Sequence, residues 1–396
     1  MTTTAQQKQV RPLSERCSEW RRLCLMDGWM SRLISRGYSL QFASPPQFNG
    51  IQETLLSSQE QCLVLQTELQ ELLVKSAISR VPQGEENRGF YSRYFLIPKK
   101  AGGMRPILDL SAFNRVIRKR PFHMLTIKQV MECVHQGDWC TSIDLKDAYF
   151  HITIIPKHRK FLRFSFQGIS YQFNRLPFGY SLAPRTFSKC VETALEPLRR
   201  GGMRVLFYLD DLLLLARSRE EAALQTVQLV SHLSSLGFII NWEKSCPLPS
   251  QIIMYLGMEF NSARMRARLS QRRVENLTAL LRRVTPGRVV TALSVMQLLG
   301  MMSAGHVVIP LGLLYMKRLQ RWFIRLRIDP VRQRRRMVCV PPSVGLDLTY
   351  WKNPHILSVG VPCPLRCRQC HHCCWTGRKL AHSTIKTYRL PSRHAM

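Results

Sequence analysis

Residues 205–216 read VLFYLDDLLLLA, in which two acidic residues separate two strongly apolar runs. Apolar runs of this length on both sides of a short polar turn are typical of the strands of a β-hairpin. The pattern predicts strands over 205–208 and 212–216, with Leu209, Asp210 and Asp211 in the turn. Aspartate is also common in ordinary turns, where its side chain hydrogen-bonds the local backbone. For this dipeptide alone, a structural turn and a functional site both remain open.

A third carboxylate lies upstream, where the apolar stretch 139–143 ends at Asp144. Charged carboxylates at the edge of an apolar sheet need a counter-ion, because a low-dielectric environment penalises an isolated charge. Two or three that converge would form a hard-oxygen site suited to Mg²⁺, which also holds substrate phosphates. A pair of such ions is the usual arrangement for in-line phosphoryl transfer, in which one activates the attacking hydroxyl and the other stabilises the leaving pyrophosphate.

Extended and helical patterns alternate around this hairpin. Strands are predicted over 89–98 and 105–110, joined by a basic hairpin tip at 99–104, and a further strand begins at 238–241. A helix is predicted over about 57–77. Ser218 and Glu221 indicate a capping box at the start of another helix, whose predicted apolar face consists of Leu224, Val227, Val230, Leu233 and Leu236. Interleaved strands and helices of this kind predict an α/β or α+β fold, and the family resemblance described below favours α+β.

The charge balance points to a polyanionic partner. The 396 residues include 58 Lys plus Arg against 25 Asp plus Glu, a formal net charge of +33, so nucleic acid is the first partner to consider. Residues 264–336 alone carry 17 basic residues and two acids, with helical patterns that include Val274, Leu277, Leu281 and Val284 and then Leu293, Met296 and Leu299. A basic helical segment of this kind suits a clamp along a phosphate backbone, although single basic runs are more often solvated faces.

Location is constrained by what the sequence lacks. No run of 18 or more apolar residues is present, so we expect no membrane span. Residues 1–10 are polar, which argues against secretion. The cysteines number 13, which is odd, and their spacing is irregular. Both features are typical of reduced thiols in an intracellular protein of the cytoplasm or nucleus.

Six motifs in order resemble the reverse transcriptase domain of a retroelement. They are FLIPKKAGGMRPILDLSAFN (95–114), SIDLKDAY (142–149), LPFGYSLAPRTF (176–187), FYLDD (207–211), GFIINWEKS (237–245) and YLGMEF (255–260). The resemblance spans about residues 15–360 and is closest to DIRS-type retrotransposons, which encode a tyrosine recombinase. Those elements share GFYSRYFLIPKK (89–100) and LGMMSAGHVVIPLGLLYMKRLQRW (299–322) with this chain.

The resemblance implies an RNA-directed DNA polymerase with a right-hand fold, which copies an RNA template from a DNA primer with dNTPs. It implies that Asp144, Asp210 and Asp211 hold two Mg²⁺ ions, with Mn²⁺ able to substitute, and that the Leu145 carbonyl is an additional ligand. The other roles that it implies are triphosphate binding by Lys100 and Arg105, exclusion of a 2′-hydroxyl by Tyr149, sugar contact by Phe178, close approach of the templating base at Gly179, proton donation to pyrophosphate by Lys244, and a primer grip at Leu256 and Gly257.

Some of these positions have plainer interpretations. Without the motif, Tyr149 would be taken for a core aromatic residue and Lys244 for a surface lysine. Phe178 departs from the retroviral enzymes, which carry Gln there, although related retrotransposons also use an aromatic residue. Two other functions stay as alternatives: a truncated remnant that binds nucleic acid without polymerising, and an RNA-dependent RNA polymerase, against which Tyr149 argues.

The predicted domains are an N-terminal extension with an amphipathic helix (1–85), fingers and palm (86–262), a helical thumb or connection-like region (263–345) and a truncated linker with an aberrant tail (346–396). The tail contains Cys363, Cys367, Cys370, His371, His372, Cys373 and Cys374. These residues indicate either a zinc site or out-of-frame sequence that was joined at about residue 362. Asp347 is the last acidic residue, so we expect no RNase H activity from this chain and expect retroelement-encoded partners to supply RNase H and recombinase.

Overall fold

The computed structural model describes residues 12–23, 28–99 and 102–364 of the chain. Within these residues the strands are β1 (Ile78–Arg80), β2 (Tyr91–Pro98), β3 (Met104–Asp109), β4 (Trp139–Asp144), β5 (Arg163–Phe166), β6 (Ile169–Phe173), β7 (Arg204–Tyr208), β8 (Asp211–Ala216), β9 (Cys246–Ser250), β10 (Ile252–Tyr255), β11 (Met258–Asn261), β12 (Arg266–Leu269), β13 (Val289–Thr291), β14 (Met337–Cys339) and β15 (Val361–Pro362).

The α-helices in the same residues are α1 (Cys17–Leu23), α2 (Gly28–Arg36), α3 (Gln59–Val74), α4 (Ser111–Arg115), α5 (Ile127–Cys133), α6 (Pro156–Arg159), α7 (Ala183–Arg200), α8 (Arg219–Ser235), α9 (Gln271–Arg283), α10 (Ala292–Gly305), α11 (Lys317–Arg325), α12 (Gly345–Lys352) and α13 (Pro354–Val359). Strands and helices alternate in short groups, and nearly all strand pairs are antiparallel. This arrangement is the predicted α+β fold class.

The apolar hairpin forms the centre of a four-stranded sheet with the order β7-β8-β4-β9. β7 and β8 pair antiparallel up to Tyr208 opposite Asp211, so a two-residue turn joins them. β4 pairs antiparallel with the other edge of β8, and its last residue, Asp144, is opposite Asp211. The strand register therefore brings together the two acidic regions that are 66 positions apart in sequence numbering.

The basic-tipped hairpin belongs to a second sheet. Its order is β1-β6-β5-β2-β3, in which β2 pairs antiparallel with β3 and parallel with β5. A third sheet has the order β10-β11-β12-β15, and β13 pairs with β14. In sequence, β5 and β6 of the second sheet lie between β4 and β7 of the central sheet, whereas the whole third sheet follows β9.

Two hydrophobic cores lie on opposite faces of the central sheet. Leu212 and Leu214 of β8 belong to the core shared with α3, α7 and the second sheet. Leu213 and Leu215 belong to the core shared with α9, α10 and the third sheet. All four side chains are at most 1% exposed. Burial on both faces explains why β8 is a continuous run of leucine and shows no alternation.

Several predicted elements are confirmed within a few residues. The central hairpin has strands 204–208 and 211–216, so Asp211 lies in the strand and only Leu209 and Asp210 form the turn. β2 and β3 form the hairpin with the basic tip. α3 begins after Ser58, whose hydroxyl accepts a hydrogen bond from the Gln61 N–H at 3.2 Å.

The predicted apolar face of α8 is confirmed only in part: Leu233 and Leu236 are buried, but Leu224 and Val227 are not. Leu224 and Val227 are 61% and 68% exposed, whereas the buried face is formed by Ala222, Thr226, Leu229 and Leu233. A hydrophobic pattern treats threonine as polar and would leave Thr226 on the surface. The Thr226 hydroxyl is nevertheless buried, and it hydrogen-bonds the Thr141 hydroxyl in β4 at 2.7 Å. The face is therefore set by a buried hydrogen bond to the sheet.

Three further details also differ from the sequence analysis. The Ser218 hydroxyl caps α8, but the Glu221 carboxylate accepts from the Arg217 N–H and not from the Ser218 N–H. The strand predicted to begin at 238–241 is reduced to a single bridge between Ile240 and Leu145, and the strand beside β4 is β9. In α10, Val295, Leu298 and Met302 are buried, one position removed from the predicted face.

A buried histidine lies beneath the central sheet edge and gives the fold a predictable acid sensitivity. His151 is 0% exposed. Its Nε2 accepts from the Ile239 N–H at 3.2 Å, so its Nδ1–H donates to the Ala148 carbonyl at 3.0 Å and the ring is neutral. Burial lowers the pKa of His151 to about 4.

We expect the free energy of unfolding to fall by about 3 kcal/mol as pH decreases from about 6.5 to 4, because the unfolded chain then binds a proton that folded His151 excludes. Above pH 6.5 this contribution is constant. In His151→Gln this part of the pH dependence should disappear, whereas the exposed control His123→Gln should keep it. Urea denaturation at several pH values measures the difference, and an unchanged acid slope in His151→Gln would contradict the assignment.

Candidate active site

The turn between β7 and β8 holds two of the predicted site residues at the end of the central sheet. Leu209 has a positive φ of 57°, which is unusual for a residue with a branched apolar side chain. Its neighbour Asp210 accepts a hydrogen bond from the Leu145 N–H at 2.9 Å through its backbone carbonyl. A strained turn that is tied to the adjacent strand end is a common feature of functional sites.

The three predicted carboxylates are neighbours in space. Asp144 and Asp211 are directly paired across β4 and β8, and directly opposed residues in an antiparallel pair have Cα atoms about 4.5–5.5 Å apart. Asp210 precedes Asp211 at the turn. Asp144 is 7% exposed. The strand register therefore places all three acids at the same end of the sheet. An ordinary hairpin turn would account for Asp210 and Asp211, but it would not account for Asp144.

Burial and mutual repulsion disfavour three charged carboxylates here. Burial, followed by the charges of Asp210 and Asp144, raises the pKa of Asp211 to about 7. Burial and the charge of Asp144 also raise the pKa of Asp210, which the charge of Lys244 opposes. A cation would remove this penalty, and an all-oxygen donor set fits Mg²⁺. Among the described residues, no group of three or more His, Cys, Asp or Glu side chains is arranged closely enough to hold a metal ion as it stands.

A cleft of about 720 Å³ opens beside Asp144 and Asp210. Seven of the predicted site residues line it: Arg105, Asp144, Leu145, Phe178, Gly179, Asp210 and Lys244. Arg105 comes from β3 of the second sheet, so the cleft lies between the two sheets. Lys100 lies outside the described residues, as do Cys367 and the tail residues that follow it. Cys363 is described and buried.

Tyr149 forms the layer below the cleft. Its ring centroid is 4.8 Å from that of Phe178, and it is 8% exposed whereas Phe178 is 54% exposed. Burial, followed by the charge of Asp210, raises the pKa of Tyr149 to about 12. The ring therefore packs as a core aromatic residue and also supports the exposed ring at the cleft surface.

The segment 241–245 holds Asp144 from the other side. The Asn241 N–H donates to the Asp144 carbonyl at 2.8 Å, and the Asp144 N–H donates to the Ser245 hydroxyl oxygen at 3.0 Å. The Ser245 hydroxyl in turn donates to the Asn241 carbonyl at 2.7 Å. This small network fixes the strand end and brings Lys244 to the cleft wall. Sequence analysis selected Lys244 but missed Ser245, because a serine after a lysine carries no distinctive signal.

The predicted primer-grip residues, Leu256 and Gly257, form the tight turn between β10 and β11. Their φ values are 49° and 74°, and a Cβ on Gly257 would lie 2.3 Å from the Arg273 Nε. Arg273 holds the turn by donating to the Leu256 carbonyl at 2.9 Å. Tyr255, which sequence analysis did not select, donates from its hydroxyl to the Asp211 carbonyl at 2.9 Å. The turn is thus linked directly to the carboxylate strand.

Part of the cleft wall comes from the N-terminal segment, for which no site residue was predicted. Glu68 and Leu72 of α3 line the cleft, together with Lys99 at the tip of the β2–β3 hairpin. Burial, followed by the charge of Glu71, raises the pKa of Glu68. The helix carries an ordinary amphipathic pattern, so nothing in its sequence alone indicates that its end borders a site.

Comparison with known proteins agrees with this geometry. The family model described as "Reverse transcriptase (RNA-dependent DNA polymerase)" matches residues 97–260. The chain is 28% identical over 163 residues to the Gag-Pol polyprotein of Walleye dermal sarcoma virus, which covers 40% of this chain and 9% of that polyprotein. It is 25% identical over 161 residues to the Transposon Tf2-3 polyprotein of Schizosaccharomyces pombe, and this match covers 41% of this chain and 12% of that polyprotein. The chain thus spans only about a tenth of these relatives.

Solved structures with the same fold include complexes of the foamy viral protease-reverse transcriptase. The complex with dsDNA has a TM-score of 0.64 at 14% identity and covers 90% of this chain and 74% of that one. The complex with RNA/DNA hybrid has a TM-score of 0.58 at 16% identity, and the match covers 79% of this chain and 43% of that one. Among the residues described, no helix is both long and apolar enough to span a bilayer. Residues 97–260 of the chain therefore match the reverse transcriptase family and are similar to parts of retroelement polyproteins.

Proposed function

We propose that this chain is an RNA-directed DNA polymerase of a retrotransposon, which transfers nucleotides from dNTPs to the 3′-hydroxyl of a DNA primer on an RNA template. The observation that carries the proposal is the meeting of Asp144 with Asp210 and Asp211 beside a cleft that Arg105 and Lys244 also line. Acidic and basic side chains around one cleft suit a triphosphate substrate with its counter-ions.

Asp144, Asp210, Asp211 and the Leu145 carbonyl would hold two Mg²⁺ or Mn²⁺ ions, which when bound activate the primer hydroxyl and stabilise the leaving pyrophosphate. Arg105 would bind the triphosphate through its bidentate guanidinium, with Lys100 from the same hairpin. Lys244 would donate a proton to the departing pyrophosphate. Phe178 and Gly179 would form the surface for the sugar and the templating base, and the turn at 256–257 would position the primer end.

We place template and primer along the basic segment 264–336. Support comes from its 17 basic residues and two acids, and from α9 and α11, which have several exposed arginines. We also propose that the chain is divided into four parts. They are an N-terminal extension (1–85), fingers and palm (86–262), a thumb-like region (263–345) and a tail (346–396). The grouping of α9–α12 in one region is supported by their shared hydrophobic core.

We also propose an affiliation with the DIRS-type elements and an intracellular location, in the cytoplasm or nucleus. The two flanking motifs at 89–100 and 299–322 support the affiliation. The odd number of cysteines and their irregular spacing support a reducing compartment. RNase H and recombinase activities would come from retroelement-encoded partners.

Extension of a labelled DNA primer on an RNA template tests the function directly. We expect product with dNTPs and Mg²⁺, no product with NTPs, and none after chelation of divalent ions. Product with NTPs only would indicate an RNA polymerase. If neither nucleotide set is incorporated while primer and template are bound, the chain is a nucleic-acid-binding remnant.

Tyr149→Ala is expected to weaken discrimination against ribonucleotides. Without the ring, the space beside the nucleotide sugar admits a 2′-hydroxyl, so the ratio of kcat/KM for a dNTP to that for the matching NTP should fall by about 10²-fold. Tyr149→Phe keeps the ring and should retain the wild-type ratio. Single-nucleotide incorporation kinetics measure both. Equal loss of discrimination in the two variants would assign the effect to the hydroxyl and contradict the steric explanation.

A further inference from the structure

An ion pair links the N-terminal segment to the floor of the cleft. Lys75 follows the last turn of α3, and its Nζ lies 3.2 Å from the Asp147 Oδ1 and 4.0 Å from the Glu71 Oε2. The Asp147 side chain is 17% exposed, whereas that of Glu71 is 63% exposed. Because solvent screens an exposed pair much more than a covered one, Asp147 is the principal partner of Lys75.

Asp147 has an unusual backbone conformation. Its φ of 51° and ψ of 38° are left-handed, and a short 3₁₀ helix at Ala148–His151 follows directly. A left-handed residue next to a right-handed one directs successive backbone N–H groups into one concavity, which is a known way to bind anions. Among the described residues, the N–H groups of Asp147 and Ala148 have no backbone or side-chain acceptor. Both residues line the cleft that Arg105 also lines.

The Asp147 carboxylate is held from one side only. Its Oδ2 is buried and has no hydrogen-bond partner in the described part of the chain, so Lys75 supplies its main interaction. If the ammonium were removed, a half-buried carboxylate would lose its counter-charge and would be driven to turn toward solvent. Because a left-handed backbone is strained for a residue with a Cβ, loss of this contact would also allow the backbone to relax and redirect the two N–H groups.

Resting on the proposed polymerase function, we infer that Lys75 is a positioning residue for the nucleotide triphosphate. It acts through Asp147, and it keeps the N–H groups of Asp147 and Ala148 directed into the cleft. Lys75 lies outside residues 97–260, which match the family model, so the N-terminal segment contributes to nucleotide binding as well as to packing.

The test is a double-mutant cycle with steady-state kinetics on a primed RNA template. Lys75→Met and Asp147→Asn should each raise the KM for dNTP about tenfold and change kcat less than about twofold, since a lost charge-assisted hydrogen bond is of that size. The double variant should be no worse than the poorer single variant. Lys75→Arg keeps the charge and should resemble the wild type, as should the matched control Glu71→Gln, which removes only the exposed partner.

Asp147→Asn separates positioning from simple electrostatics. If only the net charge near the triphosphate mattered, removal of a negative charge would lower KM, and that result would overturn the inference. Additive effects in the double variant, or a KM increase in Glu71→Gln equal to that in Lys75→Met, would overturn it as well. If the wild type extends no primer, the proposed function fails, and the same pattern is then sought in the Kd for dATP measured by equilibrium binding.

Discussion

Asp211→Asn is expected to abolish primer extension, with kcat lowered by at least about 10³-fold, because one of the three carboxylates proposed to hold the catalytic cations loses its charge. Asp210→Asn should have a similar effect. Binding of a primer–template duplex should stay within about twofold of the wild type, since phosphate contacts by basic residues dominate that affinity. Single-turnover extension and a fluorescence-anisotropy titration measure the two quantities separately.

The same substitution should stabilise the protein when divalent ions are absent. The pKa of Asp211 is raised to about 7 by burial and by the neighbouring carboxylates, so above that pH a charged group is held where the fold disfavours it. Asparagine removes the charge, and we expect a higher Tm than that of the wild type at pH 8. The exposed neighbouring acid provides the control, since Glu243→Gln should change neither activity nor Tm. Wild-type extension by Asp210→Asn or Asp211→Asn would refute the metal assignment.

The strands of the site could be predicted from sequence, but their pairing could not be predicted from composition or periodicity. Apolar runs around Asp210 and before Asp144 mark strand ends, and both strands are present. Only the register of β4 against β8 makes Asp144 a neighbour of Asp211. That contact joins residues 67 positions apart in the numbering. It could be predicted only because the six motifs, in their order, resemble those of a known family. Their roles as metal ligands stay predictions.

The features that sequence analysis missed depend on long-range polar contacts. Thr226 is buried because its hydroxyl meets Thr141 across 85 positions. Lys75 pairs with Asp147 across 72 positions. Hydrophobic periodicity assigns such residues to the surface, because it has no means of recognising a polar partner on another element. The same limitation explains the rotated face of α8 and the unexpected contribution of α3 to the cleft.

A buried ion pair at the opposite end of the central sheet gives the largest expected effect on stability. Asp138 is 2% exposed, and it accepts from both terminal nitrogens of Arg204, at 2.8 and 2.6 Å. It also accepts from the His135 N–H at 2.7 Å, and Arg204 donates to the Cys133 carbonyl at 2.6 Å. The pair therefore joins the start of β7 to the loop that leads into β4.

Arg204→Met is expected to lower the free energy of unfolding by about 3–5 kcal/mol, because it leaves the Asp138 carboxylate buried without its counter-charge. Arg200→Met is the matched control. Its partner Glu196 lies only 2.5 Å away, but the two side chains are 77% and 55% exposed, so the loss should stay below about 1 kcal/mol. The double variant Arg204→Met with Asp138→Asn should recover part of the loss, since it removes the unpaired charge. Urea denaturation of the four proteins measures these differences. Equal losses in Arg204→Met and Arg200→Met would show that burial does not decide the strength of this pair.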